Sequence, residues 1–251
     1  MRVVINSKLA ERYRKVATYL FLATLVVLVG GFIFVNYSLF TENIPGSGVI
    51  LLQLLLIPVA FVLTLISVRL TNSWARRPYP EDVIKEGLKG VSKKSVIYHY
   101  YHDPARHVLI APQGVFAITT RWHNGRFAVK GSEWTTFKNP ISRFFSLMRM
   151  DRIGNPTEDA LKAAQHIQAA LQSVGAEVEV HPIILFIDPK VDVEIEDPIV
   201  PIFFADEKKS PNMTEYLRDM NRQQKENLQQ RATLPVTEAQ IEAFEAQTIK
   251  N

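Results

Sequence analysis

The chain has 251 residues, of which 47% are hydrophobic and 22% are charged, and it contains no cysteine. The length exceeds that of one average domain, and the lack of cysteine excludes a thiol nucleophile and agrees with a reducing compartment. The net charge of +4 is unevenly spread, because residues 1–150 hold 19 basic and 7 acidic residues and residues 151–251 hold 10 and 18. The two parts therefore carry charges of +12 and −8.

Two uncharged segments follow one another near the start of the chain. No residue is charged from position 16 to 41 or from position 43 to 68. At about 1.5 Å per residue, segments of this length can cross a hydrocarbon core of roughly 30 Å, and Pro58 is tolerated in a membrane helix. We therefore predict transmembrane helices at residues 16–37 and 49–70, joined by a short external loop at residues 38–48.

Each span has an alternative interpretation. The first could be a cleaved signal peptide, since basic residues precede it, but its apolar run is too long and no small-x-small cleavage site follows. The second could be a buried core helix, which its length and its lack of charge disfavour. A membrane hairpin is the preferred interpretation of both.

The basic residues predict the orientation of this hairpin. The loop between the spans carries only Glu42, whereas the flanks are rich in Lys and Arg. The flanking basic residues are Arg2, Lys8, Arg12, Arg14, Lys15, Arg69, Arg76 and Arg77. Since basic loops stay in the cytoplasm, we expect a two-span protein of the inner or plasma membrane, with a cytoplasmic N-terminus at residues 1–15 and a cytoplasmic C-terminus. The partners expected there are the lipid bilayer and its anionic head groups, near Arg76, Arg77, Lys85, Lys89, Lys93 and Lys94.

After a linker at residues 71–81, residues 82–206 have the pattern of one mixed-sheet α/β domain. A brief helix ending at Gly90 precedes β-branched and aromatic runs at residues 95–102, 106–111, 114–122 and 126–134. Turn residues separate these runs, and Asn124-Gly125 is a strong signal for a two-residue hairpin. We predict an antiparallel meander of about four strands.

The second part of this domain alternates helix and strand. An amphipathic helix begins near Asn155 and stops at Gly175. Apolar runs at residues 181–188 and 199–206 predict buried strands, and the alternation of apolar and acidic residues between them predicts an edge strand. Residues 207–251 form a polar helical tail with a capping box from Thr237 to Gln240. We interpret this tail as a solvated appendage, with a partner-binding or self-associating helix as the alternative.

One run carries a family resemblance. "HVLIAPQGVFAITTRWHNGRF", with Trp134 and Asn139-Pro140 downstream, resembles the core of the nuclease-related domain (NERD) family. The matching positions are His107, Pro112, Gly114, Val115, Phe116, Ile118, Trp122 and Gly125. The resemblance extends over residues 82–206 and implies a restriction-endonuclease-like fold. The fold class expected for the chain is thus α/β: a transmembrane helical hairpin, a restriction-endonuclease-like domain and a helical tail.

The positions that carry the chemistry of that family are substituted. Arg106 stands where the family has Asp, Thr119 where it has Glu, and Arg121 where it has Lys. The family's reaction needs two carboxylates to hold Mg²⁺, and an arginine in their place puts like charges together at a cost of several kcal/mol at 4 Å. The resemblance therefore implies an inactive module with no cofactor, which acts by binding or as a scaffold.

Three functions are considered for this domain: cleavage of nucleic acid, binding of nucleic acid, and binding of a protein partner. Relocated acids at Asp103, Glu86 and Glu133 could hold Mg²⁺ and give an active nuclease. Arg106, Arg121 and Arg126 could bind the phosphate backbone of a nucleic acid. A protein partner, contacted by the C-terminal helices, would make the domain a purely structural module of a membrane assembly.

Four histidines lie close together in the sequence, at His99, His102, His107 and His123. Their spacing matches no known metal site. Strand alternation places His99 and His102 on opposite faces, so it predicts that the histidines do not converge. Packing between strands or at the surface is the favoured interpretation.

Overall fold

The computed structural model describes residues 1–40, 47–88, 94–137, 153–206, 208–226 and 235–249. The chain divides into two units: Lys8–Arg77 with Pro140–Arg152, and Met1–Ser7 with Pro78–Asn139 and Ile153–Asn251. Most of the predicted external loop, including Glu42, and the predicted helix end at Gly90 lie outside the described residues, as do Lys89, Lys93 and Asn139-Pro140.

The first unit contains two long helices, α1 (Ser7–Phe40) and α2 (Ser47–Leu70), followed by a π-helical turn (Thr71–Ala75). The spans Ser7–Phe34 and Ile50–Gly87 contain 18-residue windows with mean hydropathies of 2.3 and 2.6, of which only 17% and 12% are buried. The large apolar side chains of α1 and α2 are mostly exposed. Both helices are therefore long and apolar enough to cross a membrane, as predicted.

A seam of small side chains lies where α1 and α2 pack. Buried small residues recur every seven positions on α1 and also on α2, and they are Ala10, Ala17, Thr24, Gly31, Ala60 and Ser67. A Cβ atom added to Gly31 would lie 2.5 Å from Cδ2 of Leu56. A larger side chain at Gly31 would therefore displace Leu56 of α2.

The second unit contains a six-stranded mixed sheet and a three-stranded mixed sheet. Its strands are β1 (Arg2–Ile5), β2 (Val96–His102), β3 (Ala105–Ala111), β4 (Gly114–Arg121), β5 (Gly125–Lys130), β6 (Glu133–Phe137), β7 (Val180–Phe186), β8 (Val191–Glu196) and β9 (Ile202–Phe204). Its helices are α3 (Pro80–Gly87), α4 (Pro156–Ser173), α5 (Met213–Glu226) and α6 (Glu238–Thr248). The architecture is α/β with a mixed sheet, as the sequence predicts.

The larger sheet has the order β1-β2-β3-β4-β7-β9. Strand β1 was not predicted, because residues 1–15 were interpreted as a basic N-terminus. It pairs in parallel with β2, and Val3 and Val4 pack on opposite faces of the sheet. A strand of four residues is too short for its alternation to stand out from the charged residues around it.

The smaller sheet has the order β6-β5-β8, and it corrects the predicted meander. Strand β4 pairs with β3 and β7 rather than with β5, so Asn124-Gly125 does not close a hairpin. The chain instead leaves the larger sheet there, and β5 pairs with β6 around Gly131, whose φ is 59°. A turn dipeptide indicates a change of direction, but the next pairing partner is decided by which faces are buried. Strand β8 is an edge strand that alternates buried and exposed residues, as predicted.

Helices cover both faces of the larger sheet. Helices α4 and α6 pack on one face together with the smaller sheet, and α3 and α5 pack on the other. The interpretation of residues 207–251 as a solvated appendage is wrong, because their apolar residues complete both cores. Met213 and Leu217 of α5 are buried on one face, and Ile241 and Phe244 of α6 on the other. A few apolar residues on one side of each helix dock it, even though most of its positions are polar.

Candidate functional site

The motif positions Arg106, Thr119 and Arg121 lie together at one end of β3 and β4, the central strands of the larger sheet. Strands β3 and β4 are antiparallel with His107 opposite Ile118, so Arg106 at the start of β3 is level with Thr119 near the end of β4. The predicted face alternation of β4 is confirmed, because Val115 and Ala117 pack in the core beneath α4. Thr119 and Arg121 share that face, and Arg106 does so by its register. We call Arg106, Thr119, Arg121 and Asp159 of α4 the motif edge.

Asp159 was not among the predicted site residues, yet it is the partner of Arg121. The Arg121 guanidinium donates to Asp159 Oδ2 and also to the carbonyl oxygen of Thr120, at 3.2 Å. The Arg121 side chain is 14% exposed and that of Asp159 is 56% exposed. The sequence signal for Asp159 was its place in the first turn of a helix, where acids are common for reasons of the helix dipole alone.

The electrostatics of the motif edge are those of a partly buried cation. Burial lowers the pKa of Arg121, the Asp159 carboxylate raises it, and the positive charge of Arg106 lowers it. The guanidinium stays charged in every normal condition. Arg121 Nε is buried with no hydrogen-bond partner, so the cation is held chiefly through Asp159. The motif edge thus contains a cation–carboxylate pair within the protein.

Arg126, the third predicted phosphate-binding residue, lies on the smaller sheet. Its guanidinium contacts Glu194, lies 3.7 Å from Asp192 on the adjacent strand β8, and lies over the ring of Phe137. Strand β5 continues this pattern with a 2.6 Å ion pair between Lys130 and Glu196. The basic residues of β5 are therefore compensated by the acids of β8, and Arg126 does not join Arg106 and Arg121 on one sheet.

The relocated acids lie on three different elements. Asp103 is exposed in the turn between β2 and β3, at the same end of the sheet as Arg106. Glu86 is exposed on α3, which covers the opposite face from α4. Glu133 is exposed on β6 opposite Lys130. Within the described residues, no group of three or more His, Asp or Glu side chains is arranged to hold a metal ion.

A second polar group, which was not predicted, lies on the face of the larger sheet that α3 covers. His99 Nδ1 and His107 Nδ1 lie 2.8 Å apart across β2 and β3, and both side chains are fully buried. The Tyr100 hydroxyl donates to Glu81 Oε2 of α3 at 2.5 Å, and its ring lies 5.1 Å from that of His107. We call Glu81, His99, Tyr100 and His107 the buried cluster.

The expectation that the histidines do not converge is therefore wrong for His99 and His107. The register of β2 shifts between His99 and His102, and Tyr100 has a φ of 65° in the left-handed region. This irregularity places His99 and Tyr100 on the same face, which strict alternation forbids. His102 does lie on the other face, where it stacks on Phe244 at 4.5 Å.

Burial keeps the imidazoles of the cluster neutral. It lowers the pKa of His99 to about 4, which Glu81 partly opposes, and it lowers the pKa of His107 well below its usual value with help from His99 and Arg106. A neutral pair can share one hydrogen bond, in which one ring donates and the other accepts. Nε2 of each ring is buried without a hydrogen-bond partner. His99 and His107 thus form a polar contact between β2 and β3 that is shielded from water.

Comparison with models of known families, with curated proteins and with solved structures found no match. The resemblance to the nuclease-related domain family therefore rests on the sequence alone, chiefly on the run from His107 to Phe127.

Proposed function

We propose that this protein is a membrane-anchored, cytoplasm-facing α/β module of nuclease-like ancestry that no longer cleaves nucleic acid and acts as a scaffold for a protein partner. The observation that carries the proposal is the pair of Arg121 and Asp159 at the motif edge. A divalent cation placed there would meet the charges of Arg106 and Arg121, which repel it by several kcal/mol at about 4 Å.

A protein partner is favoured over a nucleic acid because of how the candidate arginines are engaged. Arg121 is mostly buried against Asp159, and Arg126 contacts two acids of β8. Binding a phosphate backbone requires cations that can approach phosphates without first breaking ion pairs. The partner-binding interpretation also accounts for the acidic charge of −8 over residues 151–251.

Strand β1 supports the proposed topology. Residues Arg2–Ile5 precede the hairpin and pair with β2, which follows it, and Asn6 N donates to His99 O at 3.0 Å. A single sheet cannot be formed across a bilayer, so this pairing supports a topology in which the two ends of the hairpin lie on one side of the membrane. The basic flanks support the cytoplasm as that side.

Nuclease activity of the full chain in detergent tests the proposal. Single- and double-stranded DNA and RNA are incubated with the protein and Mg²⁺ or Mn²⁺, and we expect no cleavage above a no-protein control. Reproducible cleavage that disappears in Asp103→Ala or Glu133→Ala would establish the alternative of relocated acids and overturn the proposal.

Binding is tested separately, by the fluorescence anisotropy of labelled DNA and RNA at low and high salt. We expect weak binding that is the same for the wild-type protein and for Arg121→Gln. Tight, salt-sensitive binding that is lost in Arg121→Gln but kept in the surface control Lys190→Gln would identify a phosphate-binding module instead.

A further inference from the structure

The base of the membrane hairpin is closed by an aromatic pair. Tyr13 of α1 and Trp74 of the π-helical turn stack with their ring centroids 4.6 Å apart and their planes inclined by 12°. Arg14 Nε donates to the carbonyl oxygen of Trp74 at 3.3 Å, and Arg76 N closes the turn on Thr71 O at 2.9 Å. We call Tyr13, Arg14 and Trp74 the base clasp.

The base clasp lies where the charged and the apolar parts of both helices meet. Tyr13 precedes the first residue of the uncharged segment 16–41 by three positions, and Trp74 follows the segment 43–68 by six. Tyr and Trp concentrate at this depth in membrane proteins, because their rings are apolar and their polar atoms reach the head groups. Tyr13 is 39% exposed, so part of its ring remains accessible to lipid.

Basic residues flank the clasp in both segments of the chain that form it. Residues 7–15 and 69–77 contain seven basic residues and one acid, Glu11, which gives a local charge of +6. Arg12 and Arg69 are exposed, one on each helix. Each cation close to an anionic bilayer surface contributes about 1 kcal/mol to binding.

We propose that the base clasp with Arg12 and Arg69 is a binding site for the head groups of anionic phospholipids. The phosphodiester contacts the cations, and the aromatic pair packs at the glycerol and acyl boundary. The pair is already stacked and hydrogen-bonded to Arg14, so binding requires little further ordering of the protein. The inference rests on the proposed membrane anchoring and adds to it a defined site for the anionic lipids.

The test uses the full chain in a mild detergent, titrated with short-chain phosphatidylglycerol or phosphatidylcholine. The number of lipids retained is measured by native mass spectrometry and the shift of the unfolding temperature by thermal denaturation. We expect apparent affinity for phosphatidylglycerol to exceed that for phosphatidylcholine at least about fivefold, and Arg12→Gln/Arg69→Gln to remove that preference. The matched control Lys162→Gln/Lys190→Gln makes the same charge change away from the hairpin and should keep it.

The aromatic pair is tested in the same titration. Trp74→Leu should weaken phosphatidylglycerol binding about threefold, and Trp74→Phe should retain it, since only the second keeps a ring against Tyr13. Equal responses to the two lipids, an equal loss in the control variant, or a shift reproduced by inorganic phosphate would each overturn the proposal. Carbonate extraction of reconstituted vesicles separates this failure from a failure of anchoring, because a protein that stays in the pellet is anchored whatever its lipid preference.

Discussion

The motif edge and the buried cluster lie on opposite faces of the larger sheet and use their polar residues differently. At the motif edge, a partly buried arginine is paired with a carboxylate that is 56% exposed. In the buried cluster, two imidazoles and a tyrosine–glutamate pair contact one another with no exposure of the histidines. Water can replace the partner in the first case and cannot in the second.

This difference explains why substitutions at the motif edge should cost less stability than substitutions in the buried cluster. Three of the four residues of the motif edge were predicted as site residues, yet the carboxylate of its ion pair is 56% exposed and is therefore screened. The buried cluster was not predicted, yet its contacts between His99 and His107 and between Tyr100 and Glu81 lie in a low-dielectric environment. We therefore expect stability to depend on the buried cluster and to be nearly indifferent to the motif edge.

The largest expected effect is that of pH on the buried cluster. The histidines have folded-state pKa values below the unfolded value of about 6.5, with His99 at about 4, so the unfolded chain binds protons first as pH falls. The free energy of unfolding is therefore highest above pH 6.5 and declines towards pH 4, by several kcal/mol in total. Thermal unfolding of the full chain in detergent at pH 7.5, 6 and 5 measures this. His99→Phe/His107→Phe should flatten the decline, leaving the share of His102, whose pKa is also lowered to about 4 by burial.

Removing one ring of the cluster comes next. His107→Ala deletes a fully buried side chain, leaves a cavity between β2 and β3, and removes the hydrogen-bond partner of His99. We expect a loss of about 3 kcal/mol in the free energy of unfolding, measured by denaturant titration at pH 7.5. A loss below 1 kcal/mol would contradict the assignment of this contact to the core.

A smaller effect is expected from the hydroxyl alone. Tyr100→Phe keeps the ring but leaves Glu81 without the hydrogen bond that it accepts at 2.5 Å. The expected loss is about 2 kcal/mol, because the acceptor is buried. Tyr101→Phe is the matched control: the Tyr101 hydroxyl donates to Ile5 O at 3.4 Å near the surface, and its removal should change stability by less than about 0.5 kcal/mol.

The smallest effect is expected at the motif edge. Asp159→Asn removes the charge that faces Arg121 but leaves an amide that can still accept a hydrogen bond. We expect a loss of at most about 1 kcal/mol, falling further at high salt, by the same denaturant titration. If Asp159→Asn were as damaging as His107→Ala, the contrast between the two regions would not hold.

Several elements were predictable because their causes are local. The two apolar segments, the helix from Asn155, the face alternation of β4 and the capping box at Thr237 each follow from residue type and spacing. The register of a strand was not predictable where a single residue interrupts the alternation of faces. The left-handed Tyr100 shifts the register of β2, and no sequence rule signals such a conformation at a tyrosine.

The sequence by itself determined the apolar hairpin, the α/β alternation and the lack of any carboxylate between Arg106 and Arg126, since these depend on composition and on periodicity along the chain. Only the tertiary structure decided that residues 2–5 join the sheet, that α5 and α6 complete its cores, and that His99 meets His107. Contacts between distant segments depend on how buried faces match in space. Residues such as Arg121 and Asp159, 38 positions apart, become partners only when a strand and a helix have packed.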